Sequence, residues 1–372
     1  MLEQADKAVV RDLEREDLPA VAQLFQNTFR RGIPAPPPSL VEYLREILFE
    51  HPWHDEAIRS KVYVSGRGVV QGFIGVFPGR FEFDGRPLRA AFAGSMMVER
   101  PEQNPLAGAR LLRAFLAGPQ DISLTETANS VALGMWQKLS LRPDVGYSLN
   151  WLRVFRPATA TVRIMETRWG AAGLLKPLGS LADTMSEKAG LSVLRAPAPA
   201  GARSTGFRDA SQQEFRDALL ALSHEYPLRP QWDDKLLDWL IGHAAQKRSF
   251  GTPSWRVGET RTGKLVGAYA YFGRPGGIAW LLQALSSPAA AGDLVDDLFS
   301  QADAQGCAGL RGAGHPWLAP ELISRKTTFY GRSYYLAHAR DKELLQPIRA
   351  GQALVSGLAG ENWMRLIGDT FD

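Results

Sequence analysis

Residues 91–141 constrain this chain more than any other stretch. They read strand, loop, helix, strand, helix: AAFAGSMMV is an apolar strand, ERPEQNPLAG a polar loop and ARLLRAFLAG a helix, followed by DISLTET and the helix ANSVALGMWQKL. A strand that stops at a Pro/Asn/Gly loop and restarts as a helix leaves backbone N–H groups pointing into the gap. Those donors, with the positive end of the helix dipole, favour an anion and often a phosphate. The unit therefore asks for a phosphorylated ligand at the start of the helix that contains Ala109.

The elements around this unit occur twice. Residues 8–157 read strand, helix, a Pro-rich loop at Gly32–Ser39, the amphipathic helix VEYLREILFE, antiparallel strands with turns at Gly66–Gly68 and Asp84–Gly85, the central unit, and a last strand in YSLNWLRVFRP. Asp17 stands where a helix cap belongs. Residues 205–372 repeat the order without repeating the residues. GFRDASQQEFRDALLALSHEY is a strand and a helix, WRVGETRTGKLVGAYAYFG a hairpin, GIAWLLQAL a strand, AAGDLVDDLFSQADAQG a helix and CAGLRG a strand; PWLAPELISRKTTF reads as helical and GRSYYLAHA as a strand. The expected architecture is α/β: two modules in tandem, each a twisted mixed sheet flanked by helices. The boundaries are 1–157, a helical connector and linker at 158–204, and 205–372. A chain of 372 residues is too long for one ordinary core, which agrees with two modules.

Composition excludes several classes. No apolar run approaches the ~20 residues that span a bilayer, and the polar N-terminus lacks a signal-peptide centre. The single cysteine, Cys307, rules out an intrachain disulfide and any multi-cysteine metal site; no metal is expected, and the expected compartment is the cytoplasm. The net charge of +4 and pI near 9.2 fit an arginine-rich protein or one attracted to anions. Nucleic acid is not an expected partner, because no Lys/Arg block or basic stripe with interleaved aromatics occurs. The apolar stripe from Trp169 to Met185, flanked by Arg163, Arg168 and Lys176, reads in two ways. It is a connector packed between the modules, or a face for peripheral contact with a membrane or an acyl chain. Oligomeric state is not legible.

The order of elements in residues 8–157 resembles the GNAT superfamily of acyl-CoA N-acyltransferases. GFIGVFPGRFEFDGRPLRAAFAGSMMVERPEQNPLAGARLLRAFL is similar to the family's central hairpin, fourth strand and pyrophosphate loop. Gln103 takes the loop's first place, Gly108 its last, and Leu106 replaces the first glycine. Asn129 matches the start of the family's next helix, while Trp136 stands at a Tyr position and Ser140-Leu141 replace Gly-Phe. The resemblance implies acyl-CoA or acetyl-CoA as co-substrate. It places pantetheine and pyrophosphate at Met97, Val98, Gln103, Ala107, Gly108, Ala109, Arg110 and Asn129.

Acyl transfer from a thioester to an amine needs a proton acceptor, polarisation of the carbonyl and neutralisation of the leaving thiolate. Glu126, at the end of the fifth strand, and Glu99, at the end of the fourth, are the carboxylate bases to weigh. Each also reads as a surface charge. His315 occupies the second module's counterpart of the Glu126 region and also reads as a loop-end histidine. Nothing in the sequence calls for a covalent intermediate. The acceptor is a primary amine, either a small molecule or a lipid or sphingoid type. The alternatives are a small-molecule N-acetyltransferase and a non-catalytic acyl-CoA-binding protein, which Leu106 and Trp136 favour. A transferase using aminoacyl-tRNA predicts a long basic groove that the sequence does not contain.

Overall fold

The computed structural model describes residues 8–30, 35–139, 142–162 and 205–371. The Trp169–Met185 stripe lies outside the described residues. The first half supplies β1 (Val9–Asp12), β2 (Lys61–Val64), β3 (Val70–Phe83), β4 (Arg86–Val98), β5 (Ile122–Ala128) and β6 (Leu149–Val154). The second supplies β7 (Thr205–Asp209), β8 (Leu228–Pro230), β9 (Thr252–Thr260), β10 (Leu265–Gly273), β11 (Ile278–Ser286), β12 (Gly309–Ala313), β13 (Thr328–Gly331) and β14 (Tyr334–Ala339). The helices of the first half include α1 (Leu18–Phe29), α2 (Pro38–Phe49), α3 (Ala107–Leu116) and α4 (Ser130–Gln137).

These strands form two seven-stranded mixed sheets among the described residues, as the tandem α/β reading expects. The first runs β1-β2-β3-β4-β5-β14, with β8 added against β3; the second runs β13-β6-β12-β11-β10-β9-β7. α3 shows why the central unit forms as read. Ala107, Leu111 and Phe115 recur four apart, so they share one face. That face packs on Ile74, Val76, Ala91 and Ala93 of the sheet. Burial of Leu111 and Phe115 contributes about 1.5–3 kcal/mol each. Asp17 precedes α1 but does not cap it. Its carboxylate accepts from Arg11 at 2.6 and 2.8 Å and from the Glu14 amide at 2.9 Å, closing the turn before the helix.

The last strand of each half crosses to the other sheet. β6 pairs with β12 and β13, and β14 pairs with β5. The sequence reading kept both strands with their own halves. Chain order does not specify which open edge a strand joins; packing does. Trp151 of β6 is fully buried, and its ring lies over Gly312 of β12, where any Cβ would collide with it. Tyr335 of β14 is fully buried against Tyr147, with ring centroids 5.1 Å apart.

After β14 the chain returns as an almost wholly buried segment, 353–366, with no regular structure beyond one 3-10 turn. Buried backbone must find hydrogen-bond partners. Here it finds them in both sheets: the Leu354 amide donates to the Leu228 carbonyl at 2.8 Å, and the Leu358 amide to the buried Gln283 side chain at 2.8 Å.

Candidate active site

β4 and β5 run parallel but pair over only three positions, Ala90 with Ile122, Ala91 with Ser123 and Phe92 with Leu124. Beyond them β4 carries a bulge. Phe73 faces Met97 while Gly75 faces Gly94, which leaves one extra residue, and Ser95 takes φ 52°. β5 continues to Ala128, held along its other edge by β14. The two strands therefore separate at their C-terminal ends.

The C-terminal segment places Glu361 at this separation. Its carboxylate accepts from the Glu126 amide at 2.7 Å and from the Thr127 hydroxyl at 2.5 Å, and it lies over Gly94 of β4. The Glu126 carboxylate in turn accepts from the Glu361 amide at 2.8 Å, the Gly357 amide at 3.2 Å and the Asn362 side-chain amide at 2.5 Å. Burial pushes the Glu126 carboxyl up to about 8; the neighbouring Glu361 charge adds to the shift, and the donated N–H groups oppose it. Burial likewise pushes Glu361 up to about 7. Fully buried Lys247 clamps the same segment, its ammonium donating to the Asn362 and Met364 carbonyls at 2.8 and 2.9 Å. Burial pulls Lys247 down to about 7 against the attraction of Asp369 and Glu126.

Glu126 opens onto a cavity of about 200 Å³ built from both sheets and the C-terminal segment. Thr127, Tyr147, Asn150, Arg311 and Asn362 supply polar groups, and Phe250 and Trp280 form an apolar wall. The other carboxylate and the histidine weighed from the sequence do not line it. Glu99 is half-buried, with its amide bonded to the Gln71 carbonyl at 2.7 Å. His315 is buried, its Nδ1 3.2 Å from the Ser356 hydroxyl; burial pulls it down to about 4, so the ring is neutral near pH 7.

The residues assigned to acyl-CoA are spread around α3. Met97 is buried and Val98 half-buried at the end of β4. Gln103 is exposed in a turn closed by its own amide on the Arg100 carbonyl at 2.9 Å. The Ala107 amide bonds the Asn104 carbonyl at 3.1 Å, and the first full helical bond runs from Arg110 to Leu106 at 2.9 Å. Gly108 and Ala109 precede that bond, as the first amides of a helix do. Gly108 faces α4, where an added Cβ would sit 3.0 Å from the Met135 sulfur, so it allows close helix contact. Arg110 donates to the Ala8 carbonyl at 3.2 Å and lies over the Tyr63 ring at 5.8 Å. Asn129 caps α4 by accepting from the Ala132 amide at 2.9 Å.

Sequence reasoning missed Glu361, Asn362, Lys247 and Arg311. The available signal was in LAGENWMRL, where Glu361 is an isolated acid inside an apolar run.

Similarity to solved structures settles the fold. A conserved Enterococcus faecalis V583 protein named a probable N-acyltransferase superposes over 91% of this chain and 74% of its own, with TM-score 0.58 and 11% identity. GCN5-related N-acetyltransferases from Kribbella flavida (TM-score 0.54, 12% identity, 91% and 73% covered) and Anabaena variabilis ATCC 29413 (0.55, 10%, 90% and 73%) superpose comparably. The chain has the GCN5-related N-acetyltransferase fold. No family model and no curated protein matches it in sequence. The likeness extends across both sheets, beyond the residues 8–157 on which the sequence resemblance rested. Within the described residues no cluster of metal-ligating side chains occurs and no helix is long and apolar enough to cross a membrane.

Proposed function

We propose that this chain is an acyl-CoA-dependent N-acyltransferase that moves an acyl group directly to a primary amine. The observation that carries the reading is the divergence of β4 and β5 with Glu126 at its edge, facing a cavity, in a fold similar to N-acetyltransferases. In this reading the thioester lies along the free edge of β4 at Met97 and Val98. The pyrophosphate meets the first amides of α3 at Gly108 and Ala109, since those of Ala107 and Arg110 are bonded to the Asn104 and Leu106 carbonyls, with Gln103 and Asn129 beside it.

The amine nitrogen bonds to the thioester carbonyl carbon and the carbon–sulfur bond breaks. Glu126 accepts the proton lost by the nitrogen and later returns it to solvent. A base whose pKa stands near the working pH suits that exchange. The departing thiolate takes a proton from water and leaves as CoA. Tyr147 is the phenol nearest the cavity, but burial pushes its pKa up and its hydroxyl already donates to the Ala353 carbonyl at 2.6 Å, so it is a poor acid. Glu99 and His315 have no part in this scheme.

One observation favours the non-catalytic alternative: the Glu126 carboxylate already accepts three N–H groups, from Gly357, Glu361 and Asn362. The test is a thermal-shift titration with CoA, acetyl-CoA and palmitoyl-CoA, followed by turnover in Glu126→Gln. A ligand that binds the folded state raises the melting temperature with ln(1 + [L]/Kd). Stabilisation by acetyl-CoA indicates small-molecule acetylation. Stabilisation by palmitoyl-CoA alone indicates a long chain, with lipid or sphingoid amines and vesicle binding to be tested next. A variant that still binds but no longer turns over supports the base assignment. Binding with no turnover by the unaltered protein makes it a binding protein, and no shift with any thioester overturns the acyl-CoA reading.

A further inference from the structure

The cavity carries positive charge that the acyl-transfer scheme does not use. Arg311 projects from β12 into the cavity, and Arg332, in the turn between β13 and β14, also lines it. The Arg311 guanidinium lies 5.7 Å from the Phe250 ring centroid, with the Tyr330 side chain near it. Among the described residues it forms no ion pair. Burial and the nearby Arg332 charge both disfavour its cationic form. A guanidinium has five N–H donors in a rigid fork matched to carboxylates, and a mostly buried charge without a counter-charge is costly. Glu126 does not supply that counter-charge: it forms no ion pair with Arg311, and burial pushes its carboxyl up to about 8, so it is mostly neutral near pH 7.

We propose that the cavity takes an acceptor bearing a carboxylate as well as an amine, an α-amino acid, with its carboxylate on Arg311 and Arg332 and its amine towards Glu126. The carboxylate end of such a molecule matches the guanidinium wall, its amine end faces the Glu126 carboxyl, and Phe250 and Trp280 offer an apolar surface to its side chain. About 200 Å³ is below the about 300–1,000 Å³ of pockets that enclose a drug-sized ligand, so the molecule is small. The role given to the amine rests on the acyltransferase reading; the carboxylate site does not.

The experiment uses the full chain without acyl-CoA. Calorimetric titrations are made with the common L-amino acids, with phenethylamine and isoamylamine as decarboxylated partners of phenylalanine and leucine, and with inorganic phosphate and CoA. At least one amino acid binds, and removal of its carboxylate weakens binding by about tenfold or more, the scale of a charge-assisted hydrogen bond. Arg311→Met abolishes that discrimination and Arg311→Lys retains part of it, with a melting curve for each variant. The matched ligand pairs on the unaltered protein decide the matter even if a variant does not fold. Equal binding of amine and amino acid, or no amino-acid binding, overturns the proposal. So does a parallel loss of CoA affinity in Arg311→Met, which would put the guanidinium on a CoA phosphate, or tight binding of inorganic phosphate at the same site. Acyl-CoA binding and turnover are read on the same preparations. Amino-acid binding without acyl-CoA binding removes the acyltransferase reading alone; acyl-CoA turnover with uncharged amines only removes the amino-acid proposal alone.

Discussion

The backbone amide of Glu126 donates to the Glu361 carboxylate at 2.7 Å, and the backbone amide of Glu361 donates to the Glu126 carboxylate at 2.8 Å. The two residues are 235 positions apart, and each satisfies the other's backbone. This exchange ties the end of β5 to the C-terminal segment and holds two buried carboxyls beside one cavity. Burial pushes both carboxyls up, and the neighbouring Glu361 charge adds to the shift on Glu126.

The first consequence is a pH-dependent stability. The folded protein keeps a proton on Glu126 from about pH 4.5 to about 8, where the unfolded chain has lost it. The contribution is therefore complete below the unfolded value and is lost as pH rises through the folded value. Glu126→Gln removes this dependence but puts an NH₂ where acceptors are needed, so it is less stable at acid pH. The gap from the unaltered protein narrows between pH 5.5 and 8, by at most about 1.4 kcal/mol per unit. Urea unfolding of both proteins at the two pH values measures it; an unchanged gap would refute the raised pKa.

Gly360 tests the geometry without touching the carboxylate. Its φ of −114° suits any residue, but an added Cβ would collide with the Glu126 carboxylate and lie 3.0 Å from the Ser356 Cα. Gly360→Ala should cost about 1–3 kcal/mol by overpacking. Displacing the base by about 1 Å should lower turnover on the order of 100-fold. Gly134→Ala is the control: nothing lies within 4 Å of the added methyl, and a mid-helix Ala is favoured by about 0.5–1 kcal/mol. Equal turnover in the two variants would show that the position of Glu126 is unimportant.

Acid should destabilise the protein through its buried histidines. Burial pulls His51 down to about 3 and His243 and His315 to about 4, so all three are neutral when folded. The unfolded chain binds their protons from about pH 6.5 downwards, and stability is lost as pH falls from there towards 4. Glu126 and Glu361 act in the opposite direction over part of that range, which leaves a net loss. His315→Asn, which keeps a polar group near Ser356, should make the acid limb shallower by up to about 1.4 kcal/mol per unit. Denaturant midpoints at pH 4.5 and 6.5 read this directly, and an unaltered slope counts against a neutral His315.

Strand exchange makes the halves interdependent. Residues 1–162 alone lack β14 on the edge of β5, and their β6 has no partner. The fragment should be insoluble or unfolded by circular dichroism. Co-expressed 1–162 and 200–372 should co-purify as one particle. Independent folding of either fragment would contradict the pairing of β6 with β12 and of β14 with β5.

The central unit was legible because local rules decide it. A three-four apolar spacing makes α3, a polar loop precedes it, and Asn129 caps α4 whatever surrounds them. Elsewhere the tertiary context overruled local pattern. PWLAPELISRKTTF reads as helical, yet its helix ends at Ser324 and Thr328 begins β13, because β6 offers an edge to residues of high β-propensity. Asp17 reads as a cap, yet Arg11 holds its carboxylate. The helix Asp234–Ala245 and β8 are two further elements that the sequence reading lacks.

From sequence alone came the tandem α/β architecture, most of the order of its elements and Glu126 as the acid near the end of β5. Those follow from periodicity and capping, which act over a few residues. Tertiary structure alone decided that β6 and β14 change sheets. It also decided that the cavity has walls from both halves, that Arg311 shares it with Glu126, and that Glu361 and Lys247 hold the segment beside it. Such partners lie more than a hundred residues apart in the chain, and burial, which sets their charge and pairing, is a property of the assembled core.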